Sequence, residues 1–280
     1  HCFNCNFKAG WRPGSLLSQN TKSLLIWLNV TDAQFTQIGF EVLRLRQNLP
    51  QTKKFQVQQV TFEDVELPPG AVFVDQALAE NPTADCLAVA EYLLSRKLDP
   101  TKYLWTSEEG YHRRFIIPFT HDGRIVGWTA RSVDKVKIAK YLSSQQPHYI
   151  YGLDKQAPDQ KFILVVEGPL DADAINACAL LHAEVSSQQR QQLAEFDLPM
   201  VLVPDRDKPG LKFAEQVLEL GWSISLPDWH DDIKDVADAA KRYGIPYTVA
   251  SIVKNIETNS LKSKLKIRNL QHKLLDKHDD

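Results

Sequence analysis

Phe162-Ile163-Leu164-Val165-Val166-Glu167-Gly168-Pro169-Leu170-Asp171-Ala172, followed further along by Met200-Val201-Leu202-Val203-Pro204-Asp205-Arg206-Asp207-Lys208-Pro209-Gly210, decides the fold. Each begins as a short apolar run broken by Gly and Pro, which predicts a strand buried on both faces of a parallel sheet. In such sheets chemistry gathers just beyond the carboxyl ends of the strands. Both ends here carry acids: Glu167 after the first, Asp205 and Asp207 after the second. If the strands are neighbours, three carboxylates meet at one edge and repel unless a cation sits among them. Hard divalent ions with oxygen ligands, Mg²⁺ above all, meet that demand.

The chain has 280 residues, enough for about two or three compact units. Its 43% apolar and 24% charged residues are ordinary for a globular protein, and a net charge of −2 gives no overall pull toward nucleic acid. Any basic surface must therefore be local. No apolar run approaches a membrane span and no charged-then-apolar signal segment opens the chain, so no membrane partner is expected. Four cysteines, two of them in an isolated Cys-x-x-Cys, do not make a disulfide framework and point to an intracellular, reducing compartment.

The chain opens on His1-Cys2-Phe3-Asn4-Cys5, one half of a zinc knuckle; structural zinc takes four ligands. A redox Cys-x-x-Cys is the alternative, without the strand-then-helix surroundings such a motif has. Cys86 and Cys178 lie among Ala and Leu on predicted helices, as buried inert thiols. Residues 14–49 carry a helical apolar period, with Thr31 and Asp32 placed to cap a new helix. A Gln-, Lys- and Thr-rich stretch closing on Pro68-Pro69-Gly70 predicts a linker, taken as 50–80. Asn81 and Thr83 can cap the next helix. Arg113–Phe119 and Ile125–Arg131 then read as strands around the hairpin turn His121-Asp122-Gly123-Arg124. Helices are predicted over Asp171–Leu181, Ser187–Phe196 and Leu211–Leu220, and a strand over Trp222–Leu226. The tail, 245–280, is basic, and its apolar period suits strand and helix alike.

Glu-Gly-Pro-x-Asp-Ala after one apolar strand, with Asp-x-Asp after a later one, resembles the Toprim domain shared by primases, type IA and II topoisomerases and some nucleases. The residues ahead of it narrow the resemblance. Arg114-x-Ile116-x-Pro118, a hairpin, Gly127-x-x-x-Arg131, Lys140-Tyr141-Leu142-Ser143 and Tyr151-Gly152-Leu153 stand in that order before Glu167-Gly168-Pro169. This looks like the RNA-polymerase core of bacterial-type and phage primases. It is closest to the tailed-phage primases that act with a separate helicase, which share Tyr103-Leu104-Trp105 and Lys234-Asp235-Val236.

The resemblance implies an α/β fold: a parallel-sheet Toprim domain over 161–244, preceded by a small mixed α/β, basic, template-binding subdomain over 81–160. A helical remnant of a zinc-binding domain over 1–49 and the tail flank them. It implies a DNA primase, a nucleotidyltransferase that makes short RNA primers on single-stranded DNA for replication. Glu167, Asp205 and Asp207 are the implied catalytic residues. Together with Asp235 they would hold Mg²⁺ or Mn²⁺; Asp238 is the next choice for the last position, and Asp228, Asp231 and Asp232 form a solvated acidic turn. Arg114, Arg131 and Lys140 are implied to contact nucleic acid or nucleotide, Lys135 and Lys137 being equally well surface charge, and His148 stands where relatives often have a basic residue. Trp105 and Trp128 could stack bases, though core packing suits each better. Zn²⁺ is implied for the full-length protein, with Cys2 and Cys5 an incomplete site in a chain truncated within its zinc-binding domain.

The implied partners are single-stranded DNA, ribonucleoside triphosphates and a replicative helicase on a separate chain, in the cytoplasm of a bacterium or of a phage's bacterial host. The tail is a solvated basic face or a contact for helicase or DNA. The alternatives are another Toprim enzyme, a topoisomerase or nuclease, or a catalytically degenerate primase-like module that binds single strands. No Gly-x-x-x-x-Gly-Lys-Ser/Thr occurs, so this stretch holds no fused helicase motor.

Overall fold

The computed structural model describes residues 9–11, 17–48, 60–134, 139–157 and 159–276. They fall in two compact units, His1–Gln59 and Val60–Asp280. Cys2, Cys5, Lys135 and Lys137 lie outside the described residues.

In the first unit, α1 (Gln19–Trp27) starts on Ser18, whose hydroxyl accepts the Thr21 N–H. Helix α2 (Asp32–Asn48) starts on Thr31, which exchanges bonds with Gln34: the Thr31 N–H donates to Gln34 Oε1 and the Gln34 N–H to Thr31 Oγ1. This reciprocal pair satisfies donors that a helix start leaves open.

The second unit holds two five-stranded sheets. The first is antiparallel throughout, in the order β1 (Val72–Phe73), β2 (Leu104–Trp105), β3 (Arg114–His121), β4 (Arg124–Ser132), β5 (Tyr141–Ser144). Strands β3 and β4 join through Asp122 and Gly123, both left-handed at φ 49° and 75°, the backbone that a two-residue hairpin turn of the favoured twist needs. Helices α3 (Val74–Glu80) and α4 (Ala84–Ser95) belong to this part; α4 is capped by Thr83, whose hydroxyl accepts the Cys86 N–H.

The linker expected over 50–80 does not hold over 60–80. Phe62 is buried and packs edge-on against Tyr149, the Val65 N–H donates to Ile125 O, and Val74 and Ala77 are buried. The stretch is polar on average, but its few apolar residues are spaced to reach the core.

The second sheet has the order β10-β9-β8-β6-β7. Strands β6 (Ile163–Val166), β7 (Cys178–Ala179), β8 (Met200–Leu202) and β9 (Ser223–Ser225) are parallel, and β10 (Ile256–Glu257) pairs antiparallel with β9. The chain leaves β6 for β7 on one side and returns to β8 on the other. The carboxyl ends of β6 and β8 therefore form the switch point of the sheet, where open α/β sheets place their ligands. Helices α5 (Pro169–Ile175), α6 (Ser187–Ala194) and α7 (Lys208–Glu219) connect the strands, and α8 (Val236–Tyr243), α9 (Ile245–Lys254) and α10 (Ser260–Asp276) follow. One buried cluster runs from Phe115 and Phe119 through Tyr149 and Tyr151 to Leu164 and Val166, so the two sheets share a core.

One further expectation is corrected, and one left open is resolved. The helix expected over Asp171–Leu181 stops at Ile175, because Asn176 turns left-handed at φ 56° and Cys178–Ala179 join the sheet as β7. Cys178 is buried as expected, but in a strand. The run Ala174-Ile175-Asn176-Ala177-Cys178-Ala179-Leu180 has too few polar residues to show either period. The tail resolves into both periods: β10 extends the sheet, and α10 lies on α7 with Ser263 and Ile267 buried and Leu270 and Leu274 half-buried. Those four positions share one helical face, and the basic residues occupy the other. No helix among the described residues is long and apolar enough to cross a membrane.

Candidate active site

Glu167 follows β6 and Asp205 follows β8, on strands paired in register from Ile163↔Met200 to Val165↔Leu202. The Asp205 N–H donates to Glu167 Oε1 at 3.1 Å, so the first acid is held by the backbone of the second. Asp207 caps α7, accepting the Gly210 N–H at 2.9 Å. A Cβ on Gly210 would lie 2.4 Å from Asp205 O and 2.7 Å from Glu167 Oε1. Glycine there lets the first turn of α7 close down on the acids. Asp235 caps α8 by accepting the Asp238 N–H at 2.7 Å. Asp171, buried on α5, accepts the Ala237 N–H at 2.8 Å and so ties the starts of α5 and α8 together.

Crowding sets the electrostatics. Burial, then the Glu167 and Asp235 charges, push the Asp205 carboxyl up to about 7. Burial raises Glu167 as well, against the pull of the Asp205 N–H. Burial also raises Asp171 and Asp235, with Asp235 and Asp205 adding to the effect on Asp171. The counter-charge present is Lys234, whose ammonium lies 2.9 Å from Asp207 Oδ2 and 3.4 Å from Asp205 Oδ2. Its hydrogen bond to Asp207 raises its own pKa. The loop that carries Lys234 is braced by Arg206, which stands between the two aspartates in sequence. The Arg206 N–H donates to Lys234 O at 2.8 Å, and its guanidinium donates to the carbonyls of Trp229, His230 and Ile233.

These oxygens suit a hard divalent cation: they are hard donors, and burial and mutual repulsion raise Glu167, Asp171, Asp205 and Asp235. Among the described residues, no three His, Cys, Asp or Glu side chains already surround one point. Asp207 and Asp235 are turned to cap helices, and Lys234 stands between Asp205 and Asp207.

Glu167, Asp171, Asp205 and Asp235 line one wall of a cleft of about 500 Å³; Arg96, Arg131, Lys140 and Tyr141 line the other. Arg131 lies between two rings, its guanidinium 5.7 Å from the centre of Tyr92 and 5.6 Å from that of Tyr141. Its Nε is buried without a hydrogen-bond partner. Lys140 lies 5.4 Å from the Tyr141 ring; burial, then the neighbouring Arg131 and Lys234 charges, lower its pKa.

Arg114 is not on this wall. It is buried, and its guanidinium donates to the carbonyls of Gly110, Ala130, Ala139 and Lys140. It braces the strands that carry Arg131 and Lys140 and has no face for phosphate. Asp207 lies near the acids through Lys234 but outside the cleft lining. Asp238 is taken by Arg96 at 3.2 Å. His148 is tied to Ser186, 2.9 Å away. Trp105 and Trp128 pack inward and donate to His112 O and Glu66 O.

Asp171, Lys234, Arg206, Tyr92 and Arg96 were missed as site residues in the sequence. Asp171 and Lys234 stand inside the quoted motifs and Arg206 inside Asp-Arg-Asp, so position alone could have raised them. Tyr92 and Arg96 come from α4 and its C-cap, with no local signal.

The class of fold is thus mixed α/β, with acids at the switch point of a parallel sheet and a basic antiparallel sheet facing them. It is the fold of primase catalytic cores. The RNA polymerase domain of Mycobacterium tuberculosis primase DnaG matches with a TM-score of 0.50 at 18% identity, over 64% of this chain and 78% of that one. The same domain in complex with a double-stranded DNA oligomer bearing a 6-nucleotide overhang matches with a TM-score of 0.50 at 18% identity, over 65% and 76%. Among curated proteins, a DNA primase from Legionella pneumophila is 33% identical over 168 residues, 49% of this chain and 29% of that protein. The chain therefore spans less than a third of that relative's length. No family model matches the chain.

Proposed function

We propose that the chain is the catalytic core of a DNA primase, a nucleotidyltransferase that joins ribonucleotides on single-stranded DNA. One observation carries the proposal: acids from adjacent parallel strand ends share a single cleft with Arg96, Arg131 and Lys140. The likeness to the Legionella primase supports it, and the M. tuberculosis domain bound to overhang-bearing DNA is the analogy for the template.

Glu167, Asp205, Asp207 and Asp235 would hold the divalent ions, Mg²⁺ or Mn²⁺. When bound, such ions lower the pKa of an attacking 3′-hydroxyl, neutralise a triphosphate and steady the departing pyrophosphate. The chain's own residues supply the rest. Arg131 offers a buried donor to a phosphate oxygen, and Lys140 and Arg96 add charge along the same wall. Asp171 fixes the start of α8 and with it the place of Asp235. We further assign zinc to Cys2 and Cys5 as two of its four ligands, a tailed-phage type of primase, a separate replicative helicase as partner, and the cytoplasm as the place of work.

Ribonucleotide incorporation on single-stranded DNA with Mg²⁺ tests the proposal. Wild type should incorporate and Asp205→Ala should not, with single-strand binding retained by both. The second reading, a single-strand-binding module without catalysis, is favoured by Lys234 standing between two of the acids; it requires wild type to be as inactive as Asp205→Ala.

A further inference from the structure

We propose that Lys234 is a built-in cation, which holds the place of the divalent ion while the metal is away and turns to the phosphates of the bound nucleotide once the metal enters. The inference rests on the metal reading above and adds to it a residue and a direction of effect.

Three observations carry it. The Lys234 ammonium bridges Asp205 and Asp207, so one positive charge already sits where these two acids converge. The acids are half-buried and crowded, with Glu167 Oε1 3.1 Å from the Asp205 backbone nitrogen and Glu167, Asp205 and Asp235 lining the same cleft, so without an interior cation they would repel. The third observation is mechanical. The backbone under Lys234 is fixed, since Lys234 O accepts the Arg206 N–H and the Arg206 guanidinium holds three more carbonyls of the same loop. The side chain is 53% exposed, so beyond its two carboxylate partners the arm has room to move. A fixed base with a half-exposed four-carbon arm can change partners without refolding the loop.

An ammonium supplies one charge and three donors, but a divalent ion supplies two charges and takes several oxygens at once. A divalent ion held by Asp205 and Asp207 would therefore take the oxygens that the ammonium holds, and Lys234 would be released from them. Among the described residues, the side chains that line the cleft opposite the acids include the cations Arg96, Arg131 and Lys140 and no carboxylate. A nucleoside triphosphate lying between the walls would supply an anion. Lys234 then serves twice, as counter-ion to the empty acids and as a phosphate ligand in the loaded site.

The test is Mn²⁺ titration of the whole chain by electron paramagnetic resonance, with thermal unfolding in the presence and absence of Mn²⁺. Wild type is compared with Lys234→Gln, Lys234→Arg and Asp205→Asn. Lys234→Gln should bind Mn²⁺ about tenfold tighter, the order expected for losing one partly screened like charge beside the ion. Its unfolding midpoint should be lower than wild type without Mn²⁺ and should rise further when Mn²⁺ is added. Lys234→Arg should keep wild-type metal affinity. The KM for ribonucleoside triphosphate should rise in Lys234→Gln despite the tighter metal. Unchanged or weaker Mn²⁺ binding in Lys234→Gln, with Asp205→Asn losing the ion, overturns this inference alone. No Mn²⁺ bound by wild type or Lys234→Gln overturns it together with the metal reading. Tighter metal with an unchanged KM overturns the phosphate half.

Discussion

At and beside one wall of the cleft, four of five acids hang on the main chain; Asp205 is held by Lys234 instead, and Asp207 lies just outside the lining. Glu167 accepts the N–H of Asp205, Asp171 that of Ala237, Asp207 that of Gly210 and Asp235 that of Asp238. On the facing wall, Arg131 and Lys140 are placed by aromatic rings, and among the described residues neither pairs with a carboxylate. Backbone bonds set the acids rigidly and crowd them, so their want of a cation is built in and is met in part by Lys234. Rings steady the cations without using their donors, and the Arg131 Nε–H is buried without a hydrogen-bond partner among the described residues. One wall is braced by backbone bonds; the other is held by rings.

The largest effect that could break this contrast is at Asp207. Asp207→Asn keeps the cap on α7, because Asn caps as well as Asp, and removes one charge. Ribonucleotide incorporation should fall on the order of 100-fold with little change in the unfolding midpoint. A parallel loss of midpoint would reduce this acid to a structural part.

Arg114 and Arg131 sharpen the contrast from the other side. Arg114→Ala leaves four carbonyls without their donor and should cost about 3 kcal/mol in urea unfolding. Arg131→Ala should cost less than about 1 kcal/mol, and should lower the salt slope of single-strand binding by about one, the loss of one phosphate contact. If the two exchanged behaviour, the assignment of the cationic wall would be wrong.

Acidity gives a smaller handle. Asp205 titrates at about 7 in the folded chain, well above an ordinary carboxyl. Between roughly pH 4 and 7 the folded state keeps a proton that the unfolded chain has released, so metal-free stability should fall as pH rises through that window. Urea midpoints across the window should show the slope, and Asp205→Asn should flatten it.

The smallest effect is expected at Tyr92. Tyr92→Phe keeps the ring and should leave single-strand affinity unchanged, while Tyr92→Leu should weaken it about two- to fivefold. Equal losses in both would give the hydroxyl, not the ring, the task of placing Arg131.

Much of the acid wall was legible in the sequence, because a buried strand, a Gly or Pro break and an acid follow one another along the chain and need no partner to be seen. The cationic wall was legible only by half. Arg114 pairs with Ser132 and Arg131 with Phe115, adjacent positions of one register. Neighbouring positions point to opposite faces of a sheet, so one arginine reaches the cleft and the other goes into carbonyls behind it. No residue type distinguishes the two faces here. Lys234 was visible as part of a motif, but the loop that carries it is held by Arg206, a contact between segments 23 to 27 residues apart in the chain. The short strand β7 and the packed tail were hidden for another reason: their apolar residues fit two periods until neighbouring elements choose one.

Both flanks of the parallel sheet are closed by segments from outside its strand-helix repeats. Tyr151 bridges Ala179 beside β7, and β10 covers β9. A nascent chain therefore exposes the open N–H and C=O row of β9 until Ile256 and Glu257 have been synthesised and have paired. An exposed edge of that kind recruits other chains. Versions of this protein that stop short of Ile256 should accumulate as aggregates even with every acid of the cleft in place.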